Sequence, residues 1–81
     1  SAFRADLPIQ LDAIDHALDA DDRSMVERLV HSLKSAAANI GAEELRECAA
    51  SAEADARADR LTEVRAALVA MLARYDGRDL V

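Results

Sequence analysis

Residues 26–41 read VERLVHSLKSAAANIG, and this stretch carries the clearest helical pattern of the chain. Its apolar residues recur at intervals of three and four, which is the spacing of one face of an α-helix. Gly41 follows the last of them and can adopt the left-handed conformation that commonly ends a helix. The stretch therefore predicts an amphipathic helix that ends near Gly41. Its apolar stripe consists of Val26, Leu29, Val30, Leu33, Ala37 and Ile40.

Three further stripes of the same kind flank this helix, with short polar breaks between them. They consist of Leu7, Leu11, Ile14 and Leu18; of Leu45, Cys48, Ala49, Ala52 and Ala56; and of Leu61, Val64, Leu68, Met71, Leu72 and Tyr75. Because short connections favour antiparallel neighbours, the sequence predicts an all-α, antiparallel up-down-up-down four-helix bundle. The expected core includes Leu11, Ile14, Leu29, Val30, Leu33, Leu45, Leu68 and Leu72.

The breaks contain residue types that begin and end helices. Asp6 is a candidate cap for the first helix, with Pro8 in the first turn, where its missing N–H costs nothing. Asp59 is a candidate cap for the fourth helix, and the pair Asp76 and Gly77 is expected to close it. The start of the second helix stays open between Asp21, Asp22 and the capping-box pair Ser24 and Glu27.

Length and composition restrict the class of protein. The chain has 81 residues, enough for one core, and residues 1–81 are interpreted as a single domain. Only Phe3 and Tyr75 are aromatic, so the core is built from aliphatic side chains and alanine. The net charge of −6 disfavours nucleic acid and anionic membranes as partners. A lone cysteine, Cys48, and the lack of a signal peptide or long apolar run indicate a cytoplasmic domain.

His31 and Lys34 form the strongest candidate site. His31 lies about 140° around the helix from Val26, so its ring is expected to point away from the apolar stripe. Lys34 and Ser35 follow one turn later on the same outward side. A neutral imidazole nitrogen can attack phosphorus, and a nearby ammonium group offsets the phosphoryl charge. An exposed histidine on an amphipathic helix is most often an ordinary surface residue. Spacing alone therefore does not decide whether His31 is functional.

The other potential ligands and nucleophiles give no such pattern. His16 lies opposite the stripe of the first helix and is interpreted as a solvated surface residue. Cys48 falls at the edge of its stripe, where a free cysteine usually packs as a small hydrophobic residue. His16, His31 and Cys48 lack the spacing of metal ligands, so no metal site is expected.

The segment from His31 to Gly41 resembles the signature of histidine-containing phosphotransfer (HPt) domains of bacterial phosphorelays. That signature is His-x-Leu-Lys-Gly, followed after a few small residues by an apolar residue and Gly. His31, Leu33, Lys34 and Gly41 match at fixed offsets, whereas Ser35 stands where the family usually has Gly. The resemblance extends over the first helix and over residues 43–57, including the position of Glu53.

The resemblance implies a phosphoryl carrier without an ATP site of its own. His31 would accept a phosphoryl group from the phospho-aspartate of a receiver domain, through the ring nitrogen farther from the backbone, and pass it to another receiver. Lys34 would stabilise the phosphoryl charge. The receiver would supply Mg²⁺, so the domain itself would need no cofactor. The implied partners are response-regulator receiver domains, which would dock on a monomer.

A receiver-docking surface is expected around His31. Antiparallel pairing places His31 level with Asp12 and Ala13 of the first helix and with residues 49–51 of the third. Ile9 points away from the stripe of its own helix and borders this face. The candidate docking residues are Ile9, Ala13, Ser35, Ala38 and Ala50.

Three classes of function fit these residues. The leading hypothesis is a phosphotransfer module, either free-standing or the terminal domain of a hybrid sensor kinase. The alternative is a helical interaction or scaffold bundle that binds a signalling partner without phosphoryl chemistry. The third is the phosphoacceptor domain of a chemotaxis-type kinase, which resembles this site but has further helices.

Overall fold

Four α-helices make up most of the chain in a computed structural model, which describes the backbone of residues 2–74 and the side chains of residues 6–74. They are α1 (Ala2–Asp19), α2 (Arg23–Asn39), α3 (Glu43–Arg57) and α4 (Leu61–Arg74). Each helix packs against two others, α1 and α3 against both α2 and α4, and residues 2–74 contain no strand. The predicted all-α four-helix bundle is confirmed. Tyr75 and the predicted helix end at Asp76 and Gly77 lie outside the described residues.

The helix boundaries follow from local chemistry. Asp22 caps the start of α2, because its side-chain oxygen accepts a hydrogen bond from the backbone N–H of Met25 at 3.2 Å. Of the three starts that the sequence left open, the structure has the one at Asp22. Gly41 has a φ of +74°, so the predicted left-handed helix end is confirmed. Asp21 and Asp59 also adopt left-handed conformations in the two other turns, with φ values of +54° and +61°.

The predicted start of α1 is wrong. α1 begins at Ala2, so Asp6 lies within the helix and Pro8 is an internal residue rather than a first-turn one. An internal proline cannot donate the backbone hydrogen bond that its position would otherwise make. The helix nevertheless continues, because burial of Leu7, Leu11 and Ile14 against the other helices outweighs local propensity.

The core is aliphatic and rich in alanine, as the composition predicts. Six of the eight predicted core residues are fully buried, but Leu29 is only half-buried and Leu72 is 40% exposed. Val26, Val30, Leu33 and Ala37 form the centre of the α2 stripe, which leaves Leu29 at its edge. On α4 the side chains of Leu68 and Met71 face the core, so that of Leu72 faces outward. No helix among the described residues is both long and apolar enough to cross a membrane.

Leu33 packs the helix that carries His31 against the core, and its truncation measures how much the Leu33 side chain stabilises the bundle. Leu33 has no exposed surface, so Leu33→Ala should lower the free energy of unfolding by about 2–5 kcal/mol. Leu72→Ala, on an exposed side chain, is the control and should cost about 1 kcal/mol or less. Denaturant unfolding followed by circular dichroism compares the two. Equal losses would contradict the assignment of Leu33 to the core.

Candidate functional site

The site lies where α2 and α3 pack together. His31 is on the outer side of α2, and its side chain keeps 56% of its surface exposed, as the helical pattern predicts. Lys34 is on the same helix one turn later, but only 29% of its side chain is exposed. Its ammonium group does not extend into solvent as expected. It turns toward α3 instead, because a buried carboxylate lies there.

That carboxylate is Glu53 of α3, which is 2% exposed and is the one buried charged residue among the described side chains. Its Oε2 lies 2.6 Å from His31 Nδ1, and its Oε1 accepts a hydrogen bond of 2.6 Å from Lys34 Nζ. Arg57 Nη2 donates to Oε2 at 3.1 Å. A buried charge is stable only when it is paired and hydrogen-bonded, and Glu53 has a donor on each oxygen. The carboxylate thus ties both candidate site residues of α2 to α3.

The charge state of Glu53 follows from these contacts. Burial raises the pKa of the Glu53 carboxyl, but the hydrogen bonds from Lys34 and His31 and the charge of Arg57 together outweigh burial. The net effect is a pKa below the ordinary value for glutamate. Glu53 is therefore ionised at neutral pH and acts only as an acceptor.

An ionised Glu53 determines which nitrogen of His31 carries a proton. Because the carboxylate can only accept, the hydrogen in the 2.6 Å contact must belong to His31 Nδ1. In the neutral ring, the lone pair is then on Nε2, which has no hydrogen-bond partner among the described residues. In this neutral form, the unprotonated nitrogen is the one that Glu53 does not contact, in a ring whose side chain is largely exposed.

A groove of ≈ 470 Å³ extends from His31 toward the start of α2. Arg57 crosses it from α3 and donates to Glu27 from its Nε at 3.0 Å, in addition to its bond with Glu53. Polar and charged side chains of both helices line the groove: Ser24, Glu27, Arg28, His31, Glu53 and Arg57. The surface beside His31 is therefore concave and polar on this side.

The candidate docking residues differ in their accessibility. Ile9 is 67% exposed on α1, and Ser35 and Ala38 are exposed on α2. Ala13 and Ala50 are half-buried. The predicted exposure of Ile9 is confirmed, and the role of all five in docking stays a prediction.

Level pairing of the antiparallel helices did not identify the side chain of α3 that contacts the His31 ring. It expected residues 49–51, whereas the side-chain partner is Glu53. The side chains of a helix point toward the N-terminus of that helix. On an antiparallel neighbour this direction leads to higher residue numbers, so the partner has a higher number than the residue directly opposite. Besides the resemblance, which includes the position of Glu53, the sequence held one physical signal for it, an acidic residue beside Ala52 and Ala56 in the apolar stripe of α3. A charge at such a position requires a partner.

The remaining candidates behave as ordinary structural residues. His16 is exposed and its Nδ1 lies 3.4 Å from Asp12 of the same helix. Cys48 is half-buried, and burial raises the pKa of its thiol despite the opposing charge of Arg74. No group of three or more metal-binding side chains occurs within the described part of the chain.

The fold and the site together define a helical bundle that presents one oriented imidazole on its surface. The chain belongs to the Hpt domain family, whose family model matches residues 1–77. Members of this family are phosphocarriers of phosphorelays that interact with receiver domains and have no catalytic activity of their own. Neither a curated protein nor a solved structure matches the chain.

Proposed function

We propose that His31 is the phosphoacceptor of this domain, taking a phosphoryl group from the phospho-aspartate of one receiver and passing it to another. The observation that carries the proposal is the 2.6 Å contact between Glu53 and His31 Nδ1, which leaves Nε2 unprotonated in an exposed ring. The family supports phosphoryl carriage in general. We propose, in addition, which residue carries the phosphoryl group, which protein donates it and in which direction it is transferred.

The chemistry of the step agrees with these groups. The lone pair of Nε2 attacks phosphorus, and the bond between phosphorus and the aspartyl oxygen breaks, which returns the aspartate as a carboxylate. With Nδ1 still protonated, the imidazole ring becomes positively charged as the N–P bond forms. Glu53 lies against this charge and stabilises it, in the way a buried carboxylate stabilises an imidazolium in other catalytic sites. The receiver brings Mg²⁺, and the domain brings the nucleophile.

Lys34 has two tasks in this proposal. One N–H of its ammonium group is used by Glu53 at 2.6 Å, and the other two are available for phosphoryl oxygens. Its half-buried stem holds the charge within one helical turn of the reacting nitrogen.

Replacing Lys34 by alanine removes one cation and one donor to Glu53 while His31 stays in place. We expect the transfer rate to fall by roughly 10-fold, less than the ~10²–10³ typical of one preorganised electrostatic donor, because the receiver's Mg²⁺ carries part of the charge. Rapid-quench measurement of transfer from a phosphorylated receiver gives this rate. Lys34→Arg is the control that keeps the charge. A rate that is unchanged in Lys34→Ala would contradict the assignment.

Docking is proposed to involve Ile9, Ser35 and Ala38, which are exposed, with Ala13 and Ala50 at the margin. Ser35 is small enough for close approach, in place of the Gly usual in the family. The domain is proposed to act as a monomer in the cytoplasm, either alone or within a hybrid sensor kinase.

Phosphotransfer profiling tests this function. Each receiver domain of the source organism is phosphorylated with a small-molecule donor and Mg²⁺ and mixed with the 81-residue chain. We expect label to move from a small subset of receivers to the chain and to return when unphosphorylated receiver is added. A chain that accepts phosphoryl groups from none of them would favour the interaction-bundle alternative.

A further inference from the structure

Arg28 differs from the other arginines of the described residues. Arg23, Arg46, Arg57, Arg60, Arg65 and Arg74 each lie within 4.0 Å of a carboxylate. Arg28 has no carboxylate at that distance, and its one hydrogen-bond contact is a weak one, with Met25 Sδ at 3.9 Å. In a chain with a net charge of −6, acidic partners are abundant, so an exposed arginine without one needs an explanation.

Arg28 also lies at a particular place, one helical turn before His31 and on the wall of the same groove. The acidic groups that face this groove are already engaged. Glu27 accepts from Arg57 at 3.0 Å, and Glu53 accepts from Lys34, His31 and Arg57. Arg28 is therefore the one charged side chain in the lining of this groove that has no oppositely charged partner among the described residues. Within the lining, Arg28 and Arg57 balance the charges of Glu27 and Glu53. Lys34 also pairs with Glu53, so the site as a whole has one positive charge in excess on an acidic protein.

We infer that the groove beside His31 receives an acidic side chain of the docked receiver, with Arg28 as its ion-pair partner. This inference rests on the proposed function of His31 and adds a contact outside the reacting atoms. Arg28 is favoured over Arg57 for this role because Arg57 is held by two carboxylates of its own chain. Arg28 is not assigned to the phosphoryl group itself, since its guanidinium lies toward Met25, on the side away from His31. An arginine fork suits bidentate contact with a carboxylate.

The test uses Arg28→Glu, Arg28→Gln and Arg28→Lys, all of which keep good helix formers at an exposed position. The kcat/KM for transfer from a cognate phosphorylated receiver should fall about 10-fold or more in Arg28→Glu and about 3- to 10-fold in Arg28→Gln. Arg28→Lys should stay within about 3-fold, and the differences should shrink as salt is raised. Arg74→Glu is the control for net charge, because it changes the charge equally on α4, which contributes no residue to the lining of the groove.

A second donor separates docking from chemistry. Phosphoramidate, a small-molecule donor, should label His31 equally in the parent chain and in all three Arg28 variants. A lysine in place of the paired receiver carboxylate should restore transfer to Arg28→Glu. Unchanged receiver transfer in Arg28→Glu, or a parallel loss of labelling by phosphoramidate, would overturn the inference and leave the proposed function standing. A parent chain labelled by neither donor would overturn both.

Discussion

We expect the His31→Gln variant to accept no phosphoryl group from a receiver, because it lacks the one imidazole of the described site. This is the largest effect that we expect. Glutamine keeps helix propensity and a polar side chain at an exposed position, so the bundle should remain folded. Labelling from a phosphorylated receiver, read on a gel at fixed times, gives the result. The label on the parent chain should be labile in acid and stable in base, as a bond between phosphorus and nitrogen is.

His16→Gln is the matched control for this experiment. His16 is an exposed histidine on α1 whose Nδ1 lies near Asp12, but no buried carboxylate orients its ring. We expect full labelling of this variant. Label that persists in His31→Gln would show that another residue accepts the phosphoryl group.

We expect Glu53→Gln to produce the second-largest effect. In the parent, Oε1 accepts from Lys34 and Oε2 from His31 and Arg57, so both oxygens face donors. An amide has one oxygen and one NH2 group, and in either orientation it places a donor against a donor. The ring then loses the partner that keeps the proton on Nδ1. We expect the transfer rate to fall by roughly 10- to 10²-fold, which is the loss of function typical when a residue that orients a metal-binding histidine is replaced.

The role proposed for Glu53 acts through His31, so its test needs a measurement beyond activity. The ¹⁵N chemical shifts of the His31 ring report which nitrogen is protonated, and the parent should show a proton on Nδ1. Glu53→Gln should shift this balance toward Nε2 or a mixture of tautomers. The variant should also lose about 1–3 kcal/mol of unfolding free energy, because donors around a part-buried site lose their acceptor. A normal rate with an unchanged tautomer would contradict the role given to Glu53.

The sequence predicts the bundle well because the four apolar stripes repeat at helical spacing and short polar breaks separate them. It fails at the start of α1, where Asp6 and Pro8 resemble a helix start but tertiary burial extends the helix back to Ala2. It also fails at Leu72, since a stripe of six apolar residues is wider than the face that α4 buries.

The site could be predicted only in part. The position of His31 and its exposure follow from one helix, so periodicity was sufficient. The contacts of Glu53 join two helices, and level pairing missed them because helical side chains point toward the N-terminus of their own helix. Arg28 could not be recognised from sequence at all. Its lack of a carboxylate emerges only when the partners of the other described arginines are known.

Glu53 is proposed to hold Nδ1 of His31 and thereby to make Nε2 the phosphoacceptor. NMR of the ¹⁵N-labelled chain after transfer from a phosphorylated receiver identifies the bonded atom, because phosphorus couples to the nitrogen that carries it. We expect a single phosphorylated residue, His31, with phosphorus on Nε2 and a proton retained on Nδ1. Phosphorus on Nδ1 of His31, or on any other residue, would contradict it.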